Sequence, residues 1–121
     1  MWSFSQSSGS LALDGVPIAS GYSGRGAGRN DPDMQHVPHQ GPIPRGIWKI
    51  SGPPVDTPSH GPYVLHLFPS PATEVFNRDG FLIHGDSLEH PGCASQGCII
   101  LPRNIREQIW NSGDRILQVI E

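Results

Sequence analysis

The chain has 121 residues and a formal net charge of −3, which matches the size of one average domain. We therefore predict a single domain over residues 1–121. The negative charge provides no basic patch for a phosphate backbone, which argues against a nucleic-acid partner. No stretch approaches the roughly 20 apolar residues of a membrane span, and the first residues lack the basic and apolar regions of an ordinary signal peptide.

The first half of the chain carries strand signals separated by long irregular stretches. Trp2–Phe4 and Leu11–Ile18 are the first apolar runs, and Asp14-Gly15 inside the second predicts a β-hairpin. Pro17 cannot donate a ladder hydrogen bond, which predicts that its strand lies at a sheet edge. Gly21–Gly46 has almost no periodicity, so it is either a functional loop or a loose connection.

The remaining apolar runs are short and are stopped by proline or glycine, as strands with tight turns would be. Predicted strands are Ile47–Ile50, Tyr63–Phe68, Phe81–His84, Cys98–Leu101 and Arg115–Ile120. The stretch Ser51–Pro62 is rich in proline, and we predict a loop there.

One short amphipathic helix is predicted near the C-terminus, between Pro102 at its first position and Gly113 at its end. Its apolar residues follow helical spacing and are Ile105, Ile109 and Trp110. Six or seven strands with one helix predict a mainly β fold, either a sandwich or a barrel-like sheet.

Reactive side chains are concentrated between His84 and Cys98, at the ends of two predicted strands. A thiol attacks a carbonyl carbon as its thiolate, and histidine is the usual base that accepts the proton. If the two strands are neighbours, His84 and Cys98 would lie close together. The amides of Gly97 and Cys98 could then bind an oxyanion, and Ser95 is near enough to orient His84.

Other interpretations of the two cysteines remain open from spacing alone. Cys98 could be a small buried hydrophobic residue. Cys93 and Cys98 could form a local disulfide, or they could bind zinc together with His84 and His90.

The segments His84-Gly85 and Ser95–Ile99 resemble the signature of L,D-transpeptidases of the YkuD-like class. That signature is His-Gly, a gap, then Ser/Thr-His-Gly-Cys and an apolar residue, and Gly41–Trp48 resembles its upstream Pro-x-Gly-x-aromatic segment. Gln96 replaces the second histidine of the signature, and the gap is shorter than usual.

These two departures, together with the segments Gly21–Gly24 and Gly28–Asn30, are similar to the type VI secretion L,D-transpeptidase effector family. The resemblance extends from about Trp2 to Leu101. It implies an L,D-transpeptidase-like fold and an antibacterial toxin that needs no metal or cofactor. Such a toxin is made without a signal peptide and acts in the periplasm of a target bacterium after delivery by a secretion apparatus.

The activity implied is cleavage of the peptidoglycan tetrapeptide stem between meso-diaminopimelate and D-Ala, or exchange of that D-Ala for another D-amino acid. Implied partners are the stem peptide, a component of the secretion apparatus and a cognate immunity protein. Two rival functions remain: a non-catalytic module that binds cell-wall peptide, and a zinc-dependent peptidase.

In this resemblance Cys98 is the nucleophile, His84 is the base, and Ser95 orients His84. The oxyanion would be bound by the backbone amides of Gly97 and Cys98. Asp86 could bind a substrate amine or cap a turn, and arginines could recognise stem carboxylates through bidentate hydrogen bonds. Candidate substrate-binding residues are Gly85, Asp86, Gln96 and Arg45, with Arg25 and Arg29 as further arginines.

Overall fold

The computed structural model of the chain describes residues 1–90, 92 and 94–121. Strands account for 39% of residues and helices for 13%, which confirms the predicted mainly β class with one short α-helix. The strands are β1 (Trp2–Ser5), β2 (Ser10–Leu13), β3 (Val16–Ser20), β4 (Tyr22–Ser23), β5 (Gly46–Thr57), β6 (Gly61–Pro69), β7 (Leu82–His84), β8 (Ile99–Ile100) and β9 (Ile116–Ile120). The helices are α1 (Arg103–Asn111) and two 3-10 turns, Gly26–Gly28 and Pro32–Met34.

The described strands form one mixed sheet in the order β3-β2-β1-β9-β5-β6-β7-β8-β4. The pairs β1–β9 and β7–β8 are parallel. The outermost strands β3 and β4 are consecutive in the chain, and Gly21 alone separates them. The sheet therefore curls, as in a barrel, until its two ends meet at Gly21, which forms the seam of the sheet. A side chain at Gly21 would overlap the carbonyl oxygen of Ile100, so the seam requires glycine there.

The predicted first hairpin and its edge strand are confirmed. Asp14 and Gly15 both have positive φ angles, 49° and 83°, as a tight two-residue hairpin turn requires. The strand that carries Pro17, β3, lies at one end of the strand order.

The predicted loop over Ser51–Pro62 is wrong, because β5 continues to Thr57 and β6 begins at Gly61. The register of β5 against β6 shifts between Ser51 and Val55, at the position of two prolines. An irregular, exposed part of a strand tolerates residues that cannot donate hydrogen bonds, so the prolines bend this arm without ending it.

The two faces of β6, β7 and β8 have different environments. Leu65, Ile83 and Ile99 are paired neighbours that belong to the main core, which also contains Ile105 and Ile109 of α1. On the opposite face a smaller buried cluster contains Val64, Leu82 and Cys98. Alternate residues of a strand point to opposite faces, so the same three short strands supply both the core and the second surface.

Candidate active site

A cleft of about 810 Å³ opens on the face of the sheet that carries Cys98. This volume is in the usual range for the binding site of a small molecule. The predicted site residues that line it are His84, Gly85, Asp86, Gln96 and Cys98. Further lining residues come from the tip of the β5–β6 hairpin and from the segment before β7: Ser59, His60, Asn77, Arg78, Asp79 and Gly80.

The parallel pairing of β7 and β8 brings the histidine and the cysteine to one face. Ile83 pairs with Ile99 and His84 with Ile100, which places Cys98 beside Leu82. Because alternate residues share a face, the side chains of His84 and Cys98 lie on the same side of the sheet. The condition on which the sequence analysis depended, that the two strands be neighbours, is therefore met.

The His84 imidazole is buried, and its two ring nitrogens have different surroundings. Its Nδ1 lies 2.8 Å from the carbonyl oxygen of Gly85, and since a carbonyl only accepts, Nδ1 carries the proton in this hydrogen bond. The side-chain Nε2 is then an unprotonated acceptor, buried and without a hydrogen-bond partner among the described residues. Native proteins rarely leave such an atom unpaired, so Nε2 is a candidate for a base that meets its partner during a reaction.

The surroundings of His84 favour its neutral form. Burial is the largest cause and lowers the pKa of the imidazole below its ordinary value, while the hydrogen bond to Gly85 opposes this. The charges of His60 and Arg106 lower the pKa further, and Asp86 raises it. The imidazole is therefore neutral near pH 7 and able to accept a proton.

His60, at the tip of the β5–β6 hairpin, packs against the catalytic candidate. Its ring centroid lies 4.8 Å from that of His84 at a tilt of 58°, and its Nδ1 is 2.8 Å from the hydroxyl oxygen of Ser59. The sequence analysis missed His60 as a site residue. Only the fold, which turns this hairpin over the cleft, brings the two imidazoles together.

Cys98 is a free cysteine with 8% of its surface exposed. Burial raises the pKa of its thiol to about 11, although the Leu82 backbone and the charge of Arg78 both lower it. The sulfur lies 3.8 Å from the carbonyl oxygen of Gly80, which it can reach as a weak donor. The thiol is therefore protonated at neutral pH and turned towards Gly80.

Ser95 holds the turn before Cys98 through three hydrogen bonds. Its hydroxyl donates to the carbonyl oxygen of Cys98 at 2.6 Å and accepts from the amides of Gly24 and Gly97, each at 3.0 Å. Within the described part of the chain, the hydrogen bond that orients His84 comes from the Gly85 carbonyl and not from Ser95. Ser95 thus holds the turn that precedes Cys98, and its predicted contact with His84 is not present among the described residues.

The turn is also anchored to β4. Ser23 donates its hydroxyl to the carbonyl oxygen of Gly97 at 3.0 Å and accepts from the amide of Ile43 at 2.9 Å. Gly97 has a φ of 128°, which favours glycine. The amide of Gly97, a predicted oxyanion donor, is occupied by Ser95 in this structure.

Asp86 caps the loop that follows β7. Its carboxylate accepts from the hydroxyl of Tyr22 at 2.6 Å, from the amide of Ser87 at 2.8 Å and from that of Gly92 at 3.0 Å. Burial raises the pKa of Asp86, but these hydrogen bonds outweigh it and leave the pKa below its ordinary value. Of the two roles considered for Asp86, the structure supplies the contacts of the turn cap.

The predicted arginines lie outside the main cleft. Arg45 is exposed, with its guanidinium 3.9 Å from the Glu121 carboxylate, so its predicted contact with substrate finds no support in the fold. Arg29 lies 4.3 Å from the centre of the Tyr22 ring. Arg25 lines a smaller hollow of about 340 Å³, which shares Gln96 with the main cleft.

Two buried arginines near the cleft were not singled out by the sequence analysis. Arg78 is 8% exposed and Arg106 is 3% exposed. Arg106 of α1 donates to the carbonyl oxygens of Pro62, Tyr63 and Leu101. An isolated arginine is usually a solvated surface residue, and neither sequence position carries a local signal of burial.

The zinc and disulfide hypotheses both involve Cys93, which lies outside the described residues. Among the residues that are described, no group of three or more His, Cys, Asp or Glu is arranged to hold a metal ion. That part of the chain also contains no helix long and apolar enough to cross a membrane.

Comparison with known proteins places this fold and cleft in a family. No curated protein matches the sequence significantly. The family model described as the Tlde1 domain matches residues 18–119, a span that contains every residue of the cleft. This family consists of type VI secretion effectors with antibacterial activity, for which a cognate immunity protein and the secretion apparatus are the partners. The chain therefore belongs to the Tlde1 domain family of type VI secretion L,D-transpeptidase effectors.

Proposed function

We propose that the protein is a cysteine-dependent L,D-carboxypeptidase or L,D-transpeptidase that acts on the peptidoglycan stem. It cleaves the tetrapeptide stem between meso-diaminopimelate and D-Ala, or exchanges that D-Ala for another D-amino acid. The observation that carries this proposal is the buried Nε2 of His84, which has no hydrogen-bond partner among the described residues and shares a cleft with the thiol of Cys98. Family membership supports an enzyme that acts on the cell wall of a target cell.

The reacting pair is neutral before substrate binds. Burial raises the pKa of Cys98 and lowers that of His84, so the resting state is thiol and imidazole and not an ion pair. The sulfur rests near the Gly80 carbonyl, and the reaction requires that it leave this contact and approach Nε2 of His84, which lines the same cleft. Proton transfer then accompanies attack, because a thiol whose pKa is raised to about 11 provides little free thiolate near pH 7.

The bond changes follow from this pair. Sulfur attacks the diaminopimelate carbonyl carbon, and Nε2 of His84 takes the thiol proton. The carbon–nitrogen bond to D-Ala breaks, and the imidazolium returns the proton to the departing amine. Water or the amine of another D-amino acid attacks the acyl-enzyme, which releases a tripeptide or an exchanged tetrapeptide.

The oxyanion formed in these steps requires donors that are free at that moment. The predicted donors are the amides of Gly97 and Cys98, and Gly97 becomes available only when Ser95 releases it. A small shift of the turn on substrate binding would accomplish this. Removing one such donor commonly costs about 2.7–4 kcal/mol of transition-state stabilisation.

The test is incubation of purified protein with tetrapeptide muropeptides, with and without added D-amino acid, followed by chromatography and mass spectrometry. We expect the native protein and Cys93→Ala to produce tripeptide or exchanged tetrapeptide. We expect Cys98→Ala to produce neither, because it has no nucleophile. Equal product from native protein and Cys98→Ala would refute the mechanism, and the absence of product from both would refute the activity.

A second candidate, a non-catalytic module that binds cell-wall peptide, is favoured by the raised pKa of Cys98 and the contact of its sulfur with Gly80. These features suit an inert buried thiol. The two functions differ in how substrate affects the thiol. If the protein is an enzyme, a non-cleavable stem-peptide analogue should rearrange the turn and so change the rate at which Cys98 reacts with a small electrophile. Isolated tetrapeptide should also be consumed. For the module, tetrapeptide should bind and remain intact.

A further inference from the structure

Arg78 is a buried cation that links two loops beneath the cleft. Its guanidinium donates to the carbonyl oxygens of Gln35, Gly41 and Pro42 in the long segment before β5. One of the same nitrogens, Nη2, lies 3.4 Å from the carbonyl oxygen of Gln96, in the turn that leads to Cys98. Arginine makes these contacts because its planar fork presents several donors at fixed angles.

The guanidinium also packs directly against the turn. A Cβ added at Gly97 would collide with Nη2 of Arg78 and come within 3.1 Å of the Phe81 ring. The centre of the guanidinium itself lies 5.2 Å from the centre of that ring. Gly97, the residue before Cys98, therefore has no room for a side chain, in part because Arg78 occupies that space.

The charge of Arg78 acts on the thiol. Arg78 and Cys98 both line the cleft, and the positive charge lowers the pKa of Cys98 while burial raises it. No other charged side chain of the described residues contributes to the pKa of this thiol. A cation that is itself desolvated interacts more strongly with a developing anion than a solvated one does.

We propose that Arg78 is a positioning residue for the nucleophile: its fork fixes the Ser95–Cys98 turn, and its charge stabilises the Cys98 thiolate. The proposal rests on the proposed function for its catalytic consequence, but its effect on the thiol is measurable without any substrate. Lysine at this position keeps the positive charge but lacks the planar guanidinium that donates to several carbonyl groups at once. Glutamine loses the charge and keeps part of the hydrogen bonding.

The first experiment measures alkylation of Cys98 by iodoacetamide as a function of pH. It uses a Cys93→Ala background, so that Cys98 is the one thiol that can react. We expect Arg78→Gln to react about tenfold more slowly than the parent near pH 8, because less thiolate is present. Arg78→Lys should keep the pH dependence of the parent. The matched control is Arg106→Gln, which also removes a buried arginine bonded to carbonyls but contributes nothing to the thiol's pKa.

The second experiment separates positioning from substrate binding by steady-state kinetics on tetrapeptide. We expect Arg78→Lys to lower kcat by tenfold or more with little change in KM, because the turn is misaligned while the cleft surface is kept. A raised KM with unchanged kcat would mean that Arg78 binds a substrate group, and it would overturn the proposal. Unchanged kcat and KM would overturn it as well.

The alkylation of Cys98 tests the proposal for Arg78 whether or not the protein cleaves peptidoglycan. If Arg78→Gln keeps the parental alkylation profile, the charge has no role and the proposal is wrong, whether or not the protein cleaves stem peptide. If Arg78→Gln does not fold, Arg78→Lys decides alone. A slowed alkylation or a parental kcat in that variant contradicts the proposal, and parental alkylation with a lowered kcat supports it.

Discussion

The two halves of the cleft are buried alike but are held by different means. The proposed base, His84, ends β7, where it pairs with Ile100 of β8, and the two preceding residues of β7 also pair with β6. The proposed nucleophile, Cys98, follows a turn that depends on the side chains of Ser23, Ser95 and Arg78. The position of His84 is therefore a property of the sheet, whereas the position of Cys98 depends on a few individual hydrogen bonds.

Replacing the base should give the largest effect and leave the sheet intact. We expect His84→Gln to lower the rate of stem-peptide cleavage by about 10²–10⁴-fold, the usual contribution of a general base. Because backbone pairing holds this half, the thermal midpoint should change little. Calorimetry measures the thermal midpoint and product assays measure the rate. The control is His36→Gln, which replaces an exposed histidine outside the cleft. A variant with most of the native rate would remove His84 from the mechanism.

Replacing Ser95 should affect both rate and stability, since the nucleophile's half depends on it. Ser95→Ala leaves the buried amides of Gly24 and Gly97 without their acceptor, and each unsatisfied buried group costs about 1–3 kcal/mol. For the two amides together we expect the free energy of unfolding in urea to fall by about 2–6 kcal/mol, and activity to fall at least tenfold. Ser8→Ala, which removes one exposed hydrogen bond, serves as the control. If Ser95→Ala has native stability, side-chain hydrogen bonds do not hold the turn.

The smallest expected effect concerns alkaline stability. The pKa of Cys98 is raised to about 11 in the folded chain, so the unfolded thiol loses its proton first and folding stability falls as pH rises through this range. Between pH 8 and pH 10 this group should lower the free energy of unfolding by about 1–2 kcal/mol. Cys98→Ala should lack that part of the decline. Urea titrations at both pH values measure the difference, and parallel declines would show that the thiol is not desolvated.

The sequence predicted the two apolar runs that His84 ends and Cys98 begins. The pairing of β7 with β8 then brings these two candidate residues to one face of the sheet. Ser95 was placed in the site but given the wrong partner, because a hydroxyl in a turn can reach several groups and spacing does not choose among them. The exposed arm of β5 was missed, since prolines ordinarily argue against a strand.

Residues that reach the site from distant parts of the chain could not be predicted. Arg78, Arg106 and His60 have no local pattern that distinguishes them from solvated side chains. Their roles arise from the carbonyl groups and the hairpin that the folded sheet brings against them. The cleft is thus predictable where two strands form it and unpredictable where loops complete it.

The seam at Gly21 has a consequence for how the domain meets other chains. Open sheet edges display unpaired amides and carbonyls, which act as templates for aggregation. In the described part of this sheet the two outermost strands are joined through one residue, and one of them carries Pro17 while the other is two residues long. Such short and interrupted edges offer a foreign strand little to pair with. A type VI secretion effector is thereby protected against extending its sheet onto neighbouring chains.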